Sequence, residues 1–282
     1  MNRPPFSLNL GETQVESQEN QPAKTIHPQP LVGPTGPHQL RAGRAFTLFA
    51  LFLAIQILTG TIVGFTLGIV AALQGANVQD PQVLAQISQQ ATTLAIISGF
   101  LVTSITVLYL AVRWFPQEIH DGSMTGAAWR IGPPKLMVLG LGVGALIAVS
   151  YLFLSPLMST PPDENSMGSF AKMATTPGLQ QMLALFIALI LAPPVEELLF
   201  LGVMFGGLCK SFGGTWAAIL TTALFVASHV TEAIHFWPAF LFIALMALAA
   251  LWLRLHTKAI GPSIALHLSY NLVIFGVILL VS

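Results

Sequence analysis

The sequence predicts an all-α membrane protein, a polytopic bundle of about seven transmembrane helices. Hydrophobic residues make up 54% of the 282 residues and charged residues only 8%, whereas roughly 25% of residues are charged in soluble domains. Seven apolar stretches are each long enough to cross about 30 Å of hydrocarbon as a helix. They lie at about 45–73, 92–115, 134–157, 180–206, 214–234, 237–255 and 259–281.

The chain divides by composition into three parts. Residues 1–40 are rich in proline and glutamine and have too little apolar surface to form a core, so we expect a disordered cytoplasmic tail. Residues 41–179 contain the N-terminal transmembrane helices and their loops. Residues 180–282 contain the last four predicted spans, where we expect the catalytic core.

The charge balance excludes one class of partner and predicts an orientation. The formal net charge is zero, so a nucleic-acid partner is not expected. With the N-terminus inside, Lys172 is the one basic residue on the outer side. This bias predicts a multi-pass protein of the cell membrane with a cytoplasmic N-terminus. The basic residues then inside are Arg3, Lys24, Arg41, Arg44, Arg113, Arg130, Lys135, Lys210, Arg254 and Lys258.

Two of the spans contain glycines at four-residue spacing. Small residues at this spacing let two helices approach closely, so the pattern predicts helix packing. The glycines are Gly60, Gly64 and Gly68 in the first span and Gly140 and Gly144 in the third.

Polar residues interrupt three of the last four spans. Glu196 and Glu197 follow Pro193 and Pro194 inside an apolar stretch, and a carboxylate in hydrocarbon is costly unless it has a partner. A proline inside a helix leaves backbone groups without hydrogen-bond partners and kinks the helix. Within a membrane such a break is tolerated where the helix lines a polar cavity. The other polar residues at comparable depth are His229 in the fifth span and His267 and Asn271, one helical turn apart, in the seventh.

These residues form three motifs that resemble the CAAX protease and bacteriocin-processing family of intramembrane endopeptidases. That family includes the type II CAAX prenyl endopeptidases, and its pattern is Glu-Glu-x-x-x-Arg, then Phe-x-x-x-His, then His-x-x-x-Asn on successive membrane helices. The resemblance covers roughly residues 180–282. The three motifs correspond to Glu196 and Glu197, to Phe225 and His229, and to His267 and Asn271.

The resemblance implies hydrolysis of a peptide bond in a peptide or in a lipidated or membrane-associated protein substrate. Glu196 with His229 would hold and deprotonate a water. His267 and Asn271 would donate hydrogen bonds to the developing oxyanion, and Glu197 would orient the histidines or share a proton. We expect no cofactor. The alternative is zinc bound by Glu196, His229 and His267.

One motif position departs from the family pattern, because Leu201 stands where the family has arginine. Two functions of other classes therefore remain as alternatives. A catalytically inactive scaffold or immunity protein would keep the fold and tolerate this leucine. A transporter would also place ionisable residues near the middle of the membrane, although no inverted repeat is visible in the first half of the sequence.

Overall fold

The computed structural model describes residues 39–160 and 168–281, and these contain helices and no strand. The predicted all-α fold class is therefore confirmed. The predicted tail at residues 1–40 lies outside the described residues except for its last two positions. The α-helices are α1 (Ala42–Leu73), α2 (Pro81–Trp114), α3 (Pro134–Met158), α4 (Ser169–Thr175), α5 (Leu179–Phe186), α6 (Ala192–Glu197), α7 (Phe205–Phe212), α8 (Gly214–Ser228), α9 (Val230–Ala233), α10 (Pro238–Thr257) and α11 (Gly261–Val281).

Six helices in the described part of the chain are long and apolar enough to cross a membrane. These spans make the chain a multi-pass membrane protein. One of them is continuous from α5 to α7. The spans are Ala42–Leu73, Pro81–Trp114, Pro134–Met158, Leu179–Phe212, Pro238–Thr257 and Gly261–Leu280.

The predicted fifth span at 214–234 is shorter than expected. Helix α8 has 15 residues, which is about 22 Å of helix and less than the roughly 30 Å of a bilayer core. It ends because His229 leaves helical geometry, with φ −102° and ψ 13°. The Ser228 hydroxyl and the His229 ring both contact the Phe225 carbonyl, so polar side chains end this helix inside an apolar sequence.

The glycine prediction is confirmed for the third span and wrong for most of the first. A Cβ atom on Gly140 would collide with the Pro262 carbonyl, and one on Gly144 would collide with the Leu266 carbonyl. These glycines therefore let α3 pack directly on the backbone of α11, the helix that carries His267. In α1 a Cβ on Gly64 or Gly68 would have no described atom within 4 Å, and one on Gly60 would make an ordinary contact of 3.7 Å.

The span from Leu179 to Phe212 lies at the centre of the bundle. In the most apolar part of this span 61% of the residues are buried, whereas in the most apolar part of α1 only 11% are buried. Its neighbours are α1 and α2 on one side and α8, α10 and α11 on the others. The glutamate pair therefore lies among protein helices, shielded from the lipid-facing surface.

Candidate active site

The glutamate pair lies in a short α-helical turn, α6, between two π-helical segments. The first segment is Ile187–Leu191 and the second is Leu198–Met204. The helix continues through Pro193 and Pro194 in this altered register, so the expected break takes the form of widened turns. Such π turns are rare and are frequent at functional sites.

The first π-helical segment explains the position of Asn271. The N–H of Ala192 donates to the Ile187 carbonyl, five residues back, so the Ala188 carbonyl loses the donor that an α-helix would provide. The next candidate donor is residue 193, a proline without an N–H. The Asn271 amide donates to the Ala188 carbonyl at 2.8 Å. Asn271 thus satisfies a backbone group in the helix that carries the glutamates, which uses one of its two amide hydrogens.

Glu196 faces both predicted histidines. Its Oε2 atom lies 3.8 Å from Nε2 of His229 and 4.0 Å from Nε2 of His267. Both distances exceed a direct hydrogen bond, and Glu196 is only 7% exposed. Oε2 has no hydrogen-bond partner among the described residues. Each separation is one that a small polar group can bridge.

The neighbouring Glu197 makes a direct contact with one histidine. Its Oε1 atom lies 3.0 Å from Nδ1 of His267, and the two side chains are 2% and 4% exposed. With the carboxylate ionised, Nδ1 donates to it, and the ring is oriented with Nε2 toward Glu196. The pair therefore sets the rotamer and the tautomer of His267.

His229 is oriented by the backbone of its own helix. Its Nδ1 lies 2.8 Å from the Phe225 carbonyl, and because a carbonyl only accepts, Nδ1 donates there. In the neutral ring Nε2 is then an acceptor directed at Glu196. The Phe225 ring lies 4.8 Å from the His229 ring and 6.0 Å from the His267 ring, centroid to centroid, so the motif phenylalanine packs against both.

The structure thus brings four of the five predicted site residues together and places the fifth, Asn271, one turn away on the same helix as His267. Their catalytic roles remain predictions. The geometry explains how three motifs that are far apart in the sequence form one site, because α6, the end of α8 and α11 meet at one point. It also supplies an orienting partner for each histidine, which the sequence alone does not show.

A buried cation contacts Leu201 through its backbone carbonyl. The Leu201 side chain is buried in the core, while Nε of Arg254 in α10 donates to the Leu201 carbonyl at 2.6 Å. The charge pattern of the sequence groups Arg254 with the cytoplasmic basic residues and does not reveal this contact. Its position inside the predicted span 237–255 was the available signal, since a charge within a span marks a functional residue by default.

Comparison with known families adds one result. Residues 178–273 match the sequence profile of a protein family that is described as type II CAAX prenyl endopeptidase Rce1-like. The match confirms the resemblance. The Rce1-like segment is about a third of the chain and contains all five predicted site residues as well as Arg254. No curated protein and no solved structure matches the chain.

Proposed function

We propose that this protein is an intramembrane endopeptidase that hydrolyses a peptide bond with a water activated by glutamate and histidine. The observation that carries the proposal is the position of the Glu196 Oε2 atom, buried and facing Nε2 of both histidines at 3.8 and 4.0 Å. Each separation is too long for a direct hydrogen bond and leaves room for a water about 2.8 Å from both atoms that it bridges. Such a water would donate its hydrogens to the Glu196 carboxylate and to Nε2 of His229, and either group could take a proton from it.

The residues provide each step of hydrolysis. Glu196 takes a proton from the water, and the resulting hydroxide attacks the carbonyl carbon of the scissile bond. His267, protonated on both ring nitrogens between Glu196 and Glu197, donates from Nε2 to the oxyanion of the tetrahedral intermediate, and the remaining amide hydrogen of Asn271 donates to it as well. The proton on Glu196 then passes to the leaving amine as the C–N bond breaks. His229 holds the water, and Glu197 keeps His267 oriented.

The substrate class follows from the surroundings of the site and from the family match. The site lies in a central helix of a multi-pass protein, so a substrate must reach it from within or beside the bilayer. A prenylated or otherwise membrane-associated polypeptide satisfies this requirement, because its lipid or apolar segment is already at the membrane. We place the protein in the cell membrane with a cytoplasmic N-terminus, on the distribution of its basic residues.

The decisive experiment tests cleavage and transport on one preparation of the full-length protein. The purified wild type is incubated with farnesylated and unmodified peptides, and products are identified by mass spectrometry. We expect cleavage at a defined bond in at least one peptide. Flux of a solute into proteoliposomes without cleavage would favour the transporter alternative. Neither activity on any probe would favour the inactive scaffold.

We expect hydrolysis to be independent of metal ions. In tetrahedral zinc sites the ligand atoms lie about 3.3 Å apart, whereas Glu196 Oε2 lies 3.8 and 4.0 Å from the histidine nitrogens. Glu196, His229 and His267 would therefore have to move closer together to bind zinc. Chelator treatment should leave the cleavage rate unchanged. Stoichiometric zinc in elemental analysis, with activity lost on its removal and restored on its return, would establish the zinc alternative instead.

A further inference from the structure

The second π-helical segment leaves one backbone carbonyl for a side chain from elsewhere. The N–H of Phe205 is shared between the Phe200 carbonyl, five residues back, and the Gly202 carbonyl. The Leu201 carbonyl therefore loses the donor that an α-helix would provide at position 205. Nε of Arg254 donates to this carbonyl at 2.6 Å. The arrangement parallels the first segment, where Asn271 donates to Ala188.

The same guanidinium joins this helix to the loop at residues 115–133, which connects α2 to α3. One terminal nitrogen, Nη2, donates to the Gly126 carbonyl at 2.6 Å and lies 3.3 Å from the Ser123 carbonyl. Arg254 thus contacts carbonyls on two separate segments. A planar guanidinium with several donors can do this, whereas a lysine ammonium reaches a single point.

The loop lies directly on the backbone of the glutamate helix at two glycines. A Cβ on Gly202 would lie 2.9 Å from the Ala127 carbonyl oxygen, and one on Gly206 would lie 2.7 Å from the Gly126 carbonyl oxygen. Both distances are shorter than Cβ contacts in proteins allow. The absence of side chains at these two positions therefore lets the loop and the helix approach closely enough for Arg254 to hydrogen-bond to both.

Arg254 is buried to a degree that requires these contacts. It is 1% exposed, and a buried charge is costly unless its hydrogen-bonding groups are satisfied. The Phe205 ring lies 4.7 Å from its guanidinium carbon, which adds a cation–π contact. A buried arginine that contacts the Leu201 carbonyl of the second π-helical segment and the ring of Phe205, the first residue after it, is well placed to stabilise that segment.

We infer that Arg254 is a positioning residue that keeps the second π-helical segment in register and thereby sets the direction of Glu196 and Glu197. A π turn adds one residue to a helical turn, and each residue of an α-helix corresponds to a rotation of about 100°. Conversion of this segment to an α-helix would rotate the glutamates relative to α7 by about that angle. Their distances to His229 and His267 depend on this rotation. This inference rests on the proposed hydrolysis only where its test measures kcat, because the exchange measurement does not require cleavage.

Two variants of the full-length protein test the role, with one matched control. Arg254→Leu removes the hydrogen-bond donors and keeps an apolar side chain. Arg254→Lys keeps the charge but lacks the planar guanidinium that donates to two segments at once. Arg113→Gln removes an exposed arginine outside the site. Each protein is studied by hydrogen–deuterium exchange and by cleavage of the best peptide. In both Arg254 variants we expect hydrogen exchange to rise about tenfold in residues 198–206 and 115–133 and to stay unchanged elsewhere. The Arg113→Gln protein should exchange like the wild type. We expect kcat to fall about tenfold or more with little change in KM, because a partner that orients the reacting groups is lost.

The outcomes separate this inference from the proposed function. Unchanged exchange in 198–206 and unchanged kcat in a folded Arg254→Leu protein would overturn it. Increased exchange across the whole chain, or failure of both Arg254 variants to fold while Arg113→Gln folds, would assign Arg254 to general stability and would also overturn it. A wild type that cleaves no peptide refutes the proposed function, but the localised exchange pattern still decides whether Arg254 controls the register.

Discussion

Replacement of Glu196 by glutamine is expected to lower kcat by about 10²- to 10⁴-fold, the range contributed by a general base. The amide preserves the size and shape of the side chain but cannot take a proton from the water. Because Glu196 is 7% exposed and its Oε2 has no hydrogen-bond partner among the described residues, removal of its charge should not lower the melting temperature. Cleavage rate and thermal stability are measured on the same preparation.

The matched control for this variant is Asp80→Asn. Asp80 lies at the N-terminus of α2 and accepts from the Gln82 N–H at 2.8 Å, a role that asparagine fills equally well. It therefore makes the same chemical change from carboxylate to amide outside the site, and both rate and stability should stay at wild-type values. A Glu196→Gln protein that cleaves at the wild-type rate would remove Glu196 from the general-base role.

Replacement of Glu197 by glutamine is expected to lower kcat by about 10²-fold, as loss of the partner that orients a catalytic histidine does. The carboxylate lies 3.0 Å from Nδ1 of His267, accepts this N–H and balances the charge of the doubly protonated ring that the proposed mechanism uses. Glutamine is neutral and cannot balance this charge, so the ring would lose one proton. The His267 ring would remain in place but would be a weaker donor to the oxyanion.

The two readouts of this variant are kcat and thermal stability. Glu197 is 2% exposed, and loss of one partner of a buried pair is destabilising; because glutamine can keep a hydrogen bond to Nδ1 of His267, the melting temperature should fall only slightly. His229 provides an internal comparison because its Nδ1 is oriented by the Phe225 carbonyl and not by Glu197. Loss of stability with an unchanged kcat would show that the Glu197–His267 pair is a structural contact without a role in catalysis.

The features that could be predicted from the sequence are those that show in the composition of a short segment. Long apolar stretches predicted the spans, and six of the seven have the length required. Charged and polar residues inside those stretches predicted the site, because a carboxylate or an imidazole in hydrocarbon requires a partner. The fifth span was overestimated, since apolar composition does not show that polar groups at Ser228 and His229 end the helix at the Phe225 carbonyl.

The sequence by itself therefore determined the fold class, six of the spans and the identity of the polar residues that meet. Only the tertiary structure decided the register of the helix that carries the glutamates. Its two π-helical segments leave the Ala188 and Leu201 carbonyls to Asn271 and Arg254, which lie 83 and 53 residues away along the chain. A backbone register that depends on donors from distant helices has no local pattern, because the extra residue in each turn is stabilised by hydrogen bonds that form only after α10 and α11 have packed.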